Sequence, residues 1–171
     1  FEVTTYRIDG EYEDGRHPRE VTFTSSLLED LRRRDFTINA MAYNEEAGLV
    51  DAFGGVKDIN AGIIRCVGSP AERFSEDALR IMRAVRFSAQ LGYRIEGETA
   101  AAIRRLAPSL ENISAERVQT ELVKLLVSDH PDYLGPHMRQ ESQGRFCLSL
   151  IFAWRRRRII PITAAAWEPI F

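Results

Sequence analysis

The chain has 171 residues, 44% apolar and 28% charged, enough to bury the core of one ordinary domain or two small ones and too apolar for wholesale disorder. Its 23 Lys and Arg against 25 Asp and Glu give a net charge of −2, so the total carries no sign of a strongly basic nucleic-acid binder. Cys66 and Cys147 cannot build a disulfide framework, no Cys/His spacing resembles a zinc site, and no apolar run reaches the roughly 20 residues of a membrane helix. A reducing, cytoplasmic setting without a membrane is expected.

The β-branched and aromatic residues of Phe1–Ile8 predict a strand, with Glu2, Thr4 and Tyr6 on one face. Asp9–Arg19 is polar and Gly/Pro-bearing and reads as a loop. Val21–Thr24 is a second short strand and Ser26–Arg34 a short charged helix. Met41–Tyr43 and Leu49–Val50 are strand candidates joined by a turn, and Ile63–Val67 closes the β-rich part. From Ser69 onward the pattern is helical. Ser69-Pro70-Ala71-Glu72 has a capping Ser, Pro at the first helical position and Glu in the first turn. Ser75 is expected to cap a longer helix that stops at Gly92; Glu98–Ala107 and Ser114–Val127 are two more helices. Beyond Gly135 no amphipathic register is legible. Residues 136–171 hold six Arg, two Glu and both tryptophans, Trp154 and Trp167, which leaves a charge of −6 on residues 1–135.

Three segments could carry chemistry. In Arg33-Arg34-Asp35-Phe36-Thr37-Ile38-Asn39, two guanidinium forks match phosphate oxygens, and Asp and Asn suit a ribose; a solvated charge cluster, with Asp35 capping a helical turn, is the other reading. In Asp51-Ala52-Phe53-Gly54-Gly55-Val56-Lys57-Asp58, the Gly pair allows a tight turn, either a hairpin exit or a phosphate loop. At about 100° per residue on one continuous helix, Glu76, Arg80 and Arg83 share a face, with Asp77 about 60° from Arg80. A carboxylate beside a guanidinium can read the hydrogen-bonding edge of a base, or can be an ordinary intrahelical ion pair. Ile81, Met82 and Val85 point the other way, toward a core. Glu2 is a mid-strand carboxylate suited to a metal or to catalysis, or to an edge strand. His17, His130 and His137 have no evident partners.

Taken in order, Glu2-Val3-Thr4-Thr5-Tyr6-Arg7, Arg16-His17-Pro18, RRDFTINA at 33–40, DAFGGVKD at 51–58, RFSEDALRIMRAVRF at 73–87 and ISAERVQTEL at 113–122 resemble the class II tRNA nucleotidyltransferase/poly(A) polymerase family, the bacterial-type CCA-adding enzymes and their relatives. The resemblance covers residues 1 to about 134. It implies an α+β fold: residues 1–68 as the later portion of a polymerase β-like head sheet, residues 69–134 as an all-helical neck binding RNA and nucleotide, and residues 135–171 as a divergent tail. It also implies transfer of nucleoside monophosphate from CTP or ATP to a tRNA 3′ end with Mg²⁺. Arg33, Arg34, Asp35 and Asn39 match the ribose and triphosphate motif. Glu76, Asp77 and Arg80, with Arg83 a turn further on, match the amino-acid template for the incoming base. There Asp77 accepts from the exocyclic amino group and Arg80 donates to the ring, admitting C and A. Asp51, Gly54, Gly55 and Asp58 match the flexible head–neck connection, Glu116 and Arg117 a neck-supporting motif, and Glu2 the third catalytic carboxylate.

The family's Gly-rich phosphate turn and Asp-x-Asp metal pair do not occur in these 171 residues. The expectation is therefore a fragment that is inactive alone, with a reading-frame change near Tyr133–Gly135 producing the basic tail. Ala78, where the polymerase branch often has Pro, and the Asp9–Arg19 loop favour CCA or A addition. A poly(A) polymerase fragment and a non-catalytic RNA-binding module are the alternatives.

Overall fold

Short strands form where β-branched or aromatic residues lie between turns, and helices form where a capping side chain precedes an apolar-periodic stretch. The computed structural model describes residues 4–10 and 20–129. β1 (Arg7–Asp9) pairs antiparallel with β2 (Val21–Phe23), Ile8 lying opposite Thr22. α1 (Leu27–Arg32) begins at Ser26, whose Oγ accepts from the Glu29 amide at 3.4 Å. β3 (Ala42–Asn44) and β4 (Gly48–Val50) form a second hairpin. There follow α2 (Gly55–Ala61), β5 (Ile63–Ile64), α3 (Pro70–Glu76), α4 (Leu79–Leu91), β6 (Arg94–Ile95), α5 (Gly97–Leu106) and α6 (Ala115–Leu126), with 3₁₀ turns at Thr37–Asn39 and Ala107–Asn112. The class is α+β, as expected.

Several local expectations are corrected. Residues 4–6 are not strand; pairing starts at Arg7. Among the described residues the strands make three separate two-stranded sheets and no continuous one. The segment after Gly54 is a helix, α2, where only a turn was expected. Ile63–Val67 pairs as a strand only at Ile63–Ile64, and its parallel partner is β6, inside the part expected to be all-helical. The long helix from Ser75 to Leu91 is two helices. Ser75 lies within α3, and the chain is extended at Asp77 (φ −145°, ψ 103°) before α4 begins. The Asp77 carboxylate accepts from the Leu79 amide at 3.0 Å, so a side chain takes the place of the ladder that would have run the two helices together. Gly92 does end α4, in the left-handed region at φ +66°.

One core unites both parts. Phe36, Ile64, Phe74 and Ile81 are fully buried and pack with Cys66, Leu79, Met82, Ile103, Leu110 and Val118, a set that runs from the RRDFTINA segment to α6. Ile81, Met82 and Val85 face inward as read from the sequence. On α6 Val118 and Leu125 are buried, while Leu126 is exposed. Glu96 caps α5, accepting from the Thr99 amide at 2.8 Å and the Thr99 hydroxyl at 3.0 Å. Burial pushes its carboxyl up, but the amides of Glu98 and Thr99, the Thr99 hydroxyl and the Arg65 charge outweigh that and hold it below the usual glutamate value.

Removing the Phe36 ring should cost about 3–5 kcal/mol, because the site is closed on all sides; Phe36→Ala is expected to lower the urea midpoint with an unchanged slope. Acid should also unfold the chain through its caps. A depressed carboxyl stabilises above its unfolded value, 4.5 for Glu96, and that stability is lost as pH falls through the lower folded value. The urea midpoint should therefore drop below about pH 4.5. It should drop less steeply in Glu96→Gln.

Candidate functional site

The site is built on the segment that leaves α1. Asp30, 2% exposed, sits one turn before Arg33 and Arg34 and collects both. Its Oδ1 accepts from Arg33 Nη2 at 2.6 Å and Nε at 3.0 Å, and its Oδ2 from Arg34 Nη2 at 3.1 Å. The Arg7 amide adds a bond from β1 at 3.3 Å. Burial pushes the Asp30 carboxyl up, but these donors more than offset it and hold it below the usual aspartate value. Two guanidiniums are thus oriented side by side on one anion.

Asp35 is fixed by its backbone first. The Val67 amide donates to the Asp35 carbonyl at 3.1 Å, the Thr37 amide donates to the Arg65 carbonyl at 2.9 Å, and Phe36 bridges Cys66 between them. The carboxylate then accepts from the Phe36 amide at 3.0 Å and Asn39 Nδ2 at 3.3 Å through Oδ1. Its Oδ2 accepts from Arg83 Nε at 2.6 Å. Two buried aspartates thus organise the segment: Asp30 gathers Arg33 and Arg34, and Asp35 gathers Asn39 and Arg83.

The break between α3 and α4 supplies the other group. Arg80, 9% exposed, donates through Nη1 to Glu76 Oε2 at 2.6 Å and to the Arg73 carbonyl at 3.1 Å. Its Nη2 reaches the Arg33 carbonyl at 3.3 Å. Glu76 also receives Arg73 Nη2 at 2.5 Å, so it serves as a brace for Arg80. Asp77 spends Oδ1 on the Leu79 amide, and its Oδ2 accepts from Arg117 Nη2 on α6 at 2.8 Å. Each carboxylate oxygen has a second lone pair, so acceptor capacity is left on Asp77 while Arg117 fixes it. Glu116, in the same turn of α6, is exposed.

The DAFGGVKD segment ties in from below. Asp51 accepts from the Gly55 and Val56 amides at 2.7 and 2.9 Å, capping α2. Burial pushes its carboxyl up, but these amides, with those of Gly54 and Phe53, hold it down overall. Gly54 takes φ +77°, and a Cβ on Gly55 would strike the Thr37 carbonyl and stand 2.7 Å from Met41 Sδ. Asp58, buried, accepts from Thr37 Oγ1 at 2.7 Å and Arg65 Nε at 3.0 Å, which anchors the 3₁₀ turn under Asp35.

Sequence reasoning missed Asp30, Thr37, Arg86, Phe87 and Glu121. Only Asp30 had a signal, its placement three and four residues before the paired arginines. Glu121 and Arg86 form a buried pair at 2.5 Å that joins α6 to α4, across 35 residues of chain. Burial pushes the Cys66 thiol up to about 12, so it stays protonated and is no nucleophile. Among the described residues no three or more His, Cys, Asp or Glu gather where a metal ion could be held. Glu2 lies outside the described residues.

The chain is similar to known proteins in sequence and in shape. Residues 1–65 match the family model described as "Poly A polymerase head domain", and residues 92–141 match "Probable RNA and SrmB- binding site of polymerase A". The CCA-adding enzyme of Leuconostoc mesenteroides is 53% identical over 127 residues, 74% of this chain and 32% of that protein. That of Streptococcus mutans is 46% identical over 170 residues, 99% of this chain and 40% of that one, so the similarity also runs through the residues after 134 that were expected to match nothing. The Bacillus stearothermophilus CCA-adding enzyme in complex with CTP superposes with a TM-score of 0.68 at 46% identity, covering 77% of this chain and 31% of that one. The Thermotoga maritima CCA-adding enzyme complexed with tRNA-CCA gives 0.64 at 32% identity, covering 80% and 33%. The chain spans about a third of the length of most of these relatives, up to 40% in S. mutans. With two models of one family matching in succession and about half of its aligned residues identical to the Leuconostoc mesenteroides and Streptococcus mutans enzymes, the chain belongs to the tRNA nucleotidyltransferase/poly(A) polymerase family.

Proposed function

We propose that this chain carries the nucleotide-selecting region of a CCA-adding tRNA nucleotidyltransferase, which extends the tRNA 3′ end from CTP and ATP. The observation that carries this reading is the α3–α4 break. It sets Asp77 and Arg80 on successive turns of backbone, with the Arg80 amide on the Asp77 carbonyl at 3.0 Å, and braces Arg80 against the backbone of Arg33. Base-reading groups and phosphate-reading groups thereby share one rigid frame. The relatives' similarity to this stretch, including one bound to CTP and one to tRNA, supports the same reading.

In this reading a cytosine or adenine presents an exocyclic amino group to Asp77 and a ring nitrogen to Arg80. Uracil and guanine present a carbonyl and a ring N–H at those positions and meet like against like. Arg33, Arg34 and Arg83 take the triphosphate, and Asp35 with Asn39 takes the ribose. Residues 1–68 act as head, residues 69–134 as neck and residues 135–171 as a tail, the division at 68/69 running through one shared core. Asp51, Gly54, Gly55 and Asp58 form the head–neck connection, and Glu116 and Arg117 support the neck. Glu2 is the third catalytic carboxylate.

The family chemistry calls on Mg²⁺, but the described carboxylates do not fit it. Asp30, Asp35, Glu76 and Asp77 are each bound to arginine, and Asp58 to Arg65 and Thr37. No step is therefore assigned through a metal here. The described residues include no helix long and apolar enough to cross a membrane; a cytoplasmic setting is part of the proposal.

The test uses an enzyme of the relatives' full length carrying this segment. Asp77→Ala with Arg80→Ala should cut discrimination of CTP over UTP on the order of tenfold or more, with a smaller loss of triphosphate affinity. Unchanged discrimination overturns the template assignment. Arg34→Ala should weaken CTP, ATP and UTP binding alike, because phosphate contacts carry no base information; a base-dependent loss would contradict its role.

A further inference from the structure

Phe87 lies outside every residue given a role above, yet three of its neighbours belong to the site. The Arg86 guanidinium carbon stands 4.0 Å from its ring centroid and that of Arg83 5.6 Å. The Phe36 ring meets it edge-on, centroids 5.8 Å apart at 82°. These neighbours differ in kind. Arg86 is buried and committed to Glu121 at 2.5 Å and to Gln90 at 2.6 Å, so it fixes the ring from the α6 side. Phe36 is fully buried, and its amide donates to Asp35 Oδ1. Arg83 is the exposed member, its side chain 36% accessible, and its Nε donates to Asp35 Oδ2.

The ring therefore contacts two of the three residues that hold the Asp35 carboxylate: Phe36, whose amide donates to Oδ1, and Arg83, whose guanidinium binds Oδ2; Asn39 is the third. A partly exposed arginine on a flexible stem loses rotamer freedom when it is held in one place. An aromatic face opposes that loss by attracting the cation electrostatically, within the range of about 6 Å at which such contacts act. A leucine of comparable apolar character would keep the packing and lose the attraction.

We propose that Phe87 is a positioning residue: it holds the Arg83 guanidinium on Asp35, and so presets the pair that receives the ribose and phosphates of a nucleoside triphosphate. What the pair binds rests on the nucleotide reading above; that Phe87 positions it does not.

The experiment uses an enzyme of the relatives' full length carrying this segment, with Phe87→Leu and Phe87→Tyr. Two quantities are read: hydrogen exchange of the Arg83 Nε–H by NMR, assigned with Arg83→Lys, and the dissociation constants of CTP and UTP. Phe87→Leu should speed exchange about three- to thirtyfold, the span of an ordinary cation–π contact. It should weaken CTP and UTP by one common factor, leaving their ratio unchanged. Phe87→Tyr, which keeps the aromatic face, should stay within about twofold of the parent in both readouts. A purely structural Phe87 would lower the melting temperature without this leucine–tyrosine split. Parent-like exchange in Phe87→Leu, or equal damage in both variants, overturns the proposal. If the leucine variant does not fold, Phe87→Met takes its place under the same criteria. A parent enzyme of full length that binds no CTP defeats the nucleotide reading, while the exchange measurement still decides the positioning.

Discussion

The arrangement depends on the two residues between α3 and α4 where the helix is not allowed to continue. A helix end exposes carbonyls and a helix start exposes amides, and both need partners when buried. Here the residues proposed to read a base are also the ones that satisfy those ends. Arg80 reaches back to the Arg73 carbonyl in the last turn of α3, and Asp77 receives the Leu79 amide at the first turn of α4. Recognition and local folding are thus the same set of hydrogen bonds. The third tie of Arg80, to the Arg33 carbonyl, carries this constraint into the segment that leaves α1.

Around that point the acidic excess of the first 135 residues acquires a structural meaning. Asp30, Asp35, Glu76, Asp77 and Glu121 are not a repulsive surface facing a polyanion; each is bound by a guanidinium at 2.5–3.1 Å. Such pairs contribute little net stability once desolvation is counted, because both ions leave water. Their value lies in register: Asp35–Arg83, Asp77–Arg117 and Glu121–Arg86 join residues 48, 40 and 35 positions apart and permit one relative placement of α1, α4 and α6. Losing one partner would leave a buried charge, so the pairs act as specificity devices on top of the apolar core.

The core supplies the cohesion that the pairs do not. Phe36 sits at its centre, flanked in sequence by Asp35 and Thr37, so burying the ring fixes the carboxylate on one side and the Thr37–Asp58 bond on the other. Gly55 is required there because its hydrogen occupies the space against the Thr37 carbonyl that any side chain would need. The DAFGGVKD segment is therefore tightly packed at Gly55 and left-handed at Gly54, one residue earlier.

Local signals made much of this legible. Ser69 as a cap, Gly92 as a stop, and the inward face of Ile81, Met82 and Val85 are consequences of neighbouring residues alone, and the family motifs rest on residue order. The sequence therefore determined the class and the helical character from Ser69 onward, apart from β6 and the break at Asp77, but not Asp30, Thr37, Arg86, Phe87 or Glu121. It did not determine that Ser75 yields to Asp77 as the cap, since both offer a suitable oxygen and only the packing of α3 against α5 and α4 against α6 selects between them. Nor did it determine the parallel pairing of Ile63–Ile64 with Arg94–Ile95, which joins residues 31 positions apart in strands too short to announce themselves. Tertiary structure alone decided which guanidinium answers which carboxylate, because an ion pair is set by distance in space, and these partners meet only after the shared core has closed.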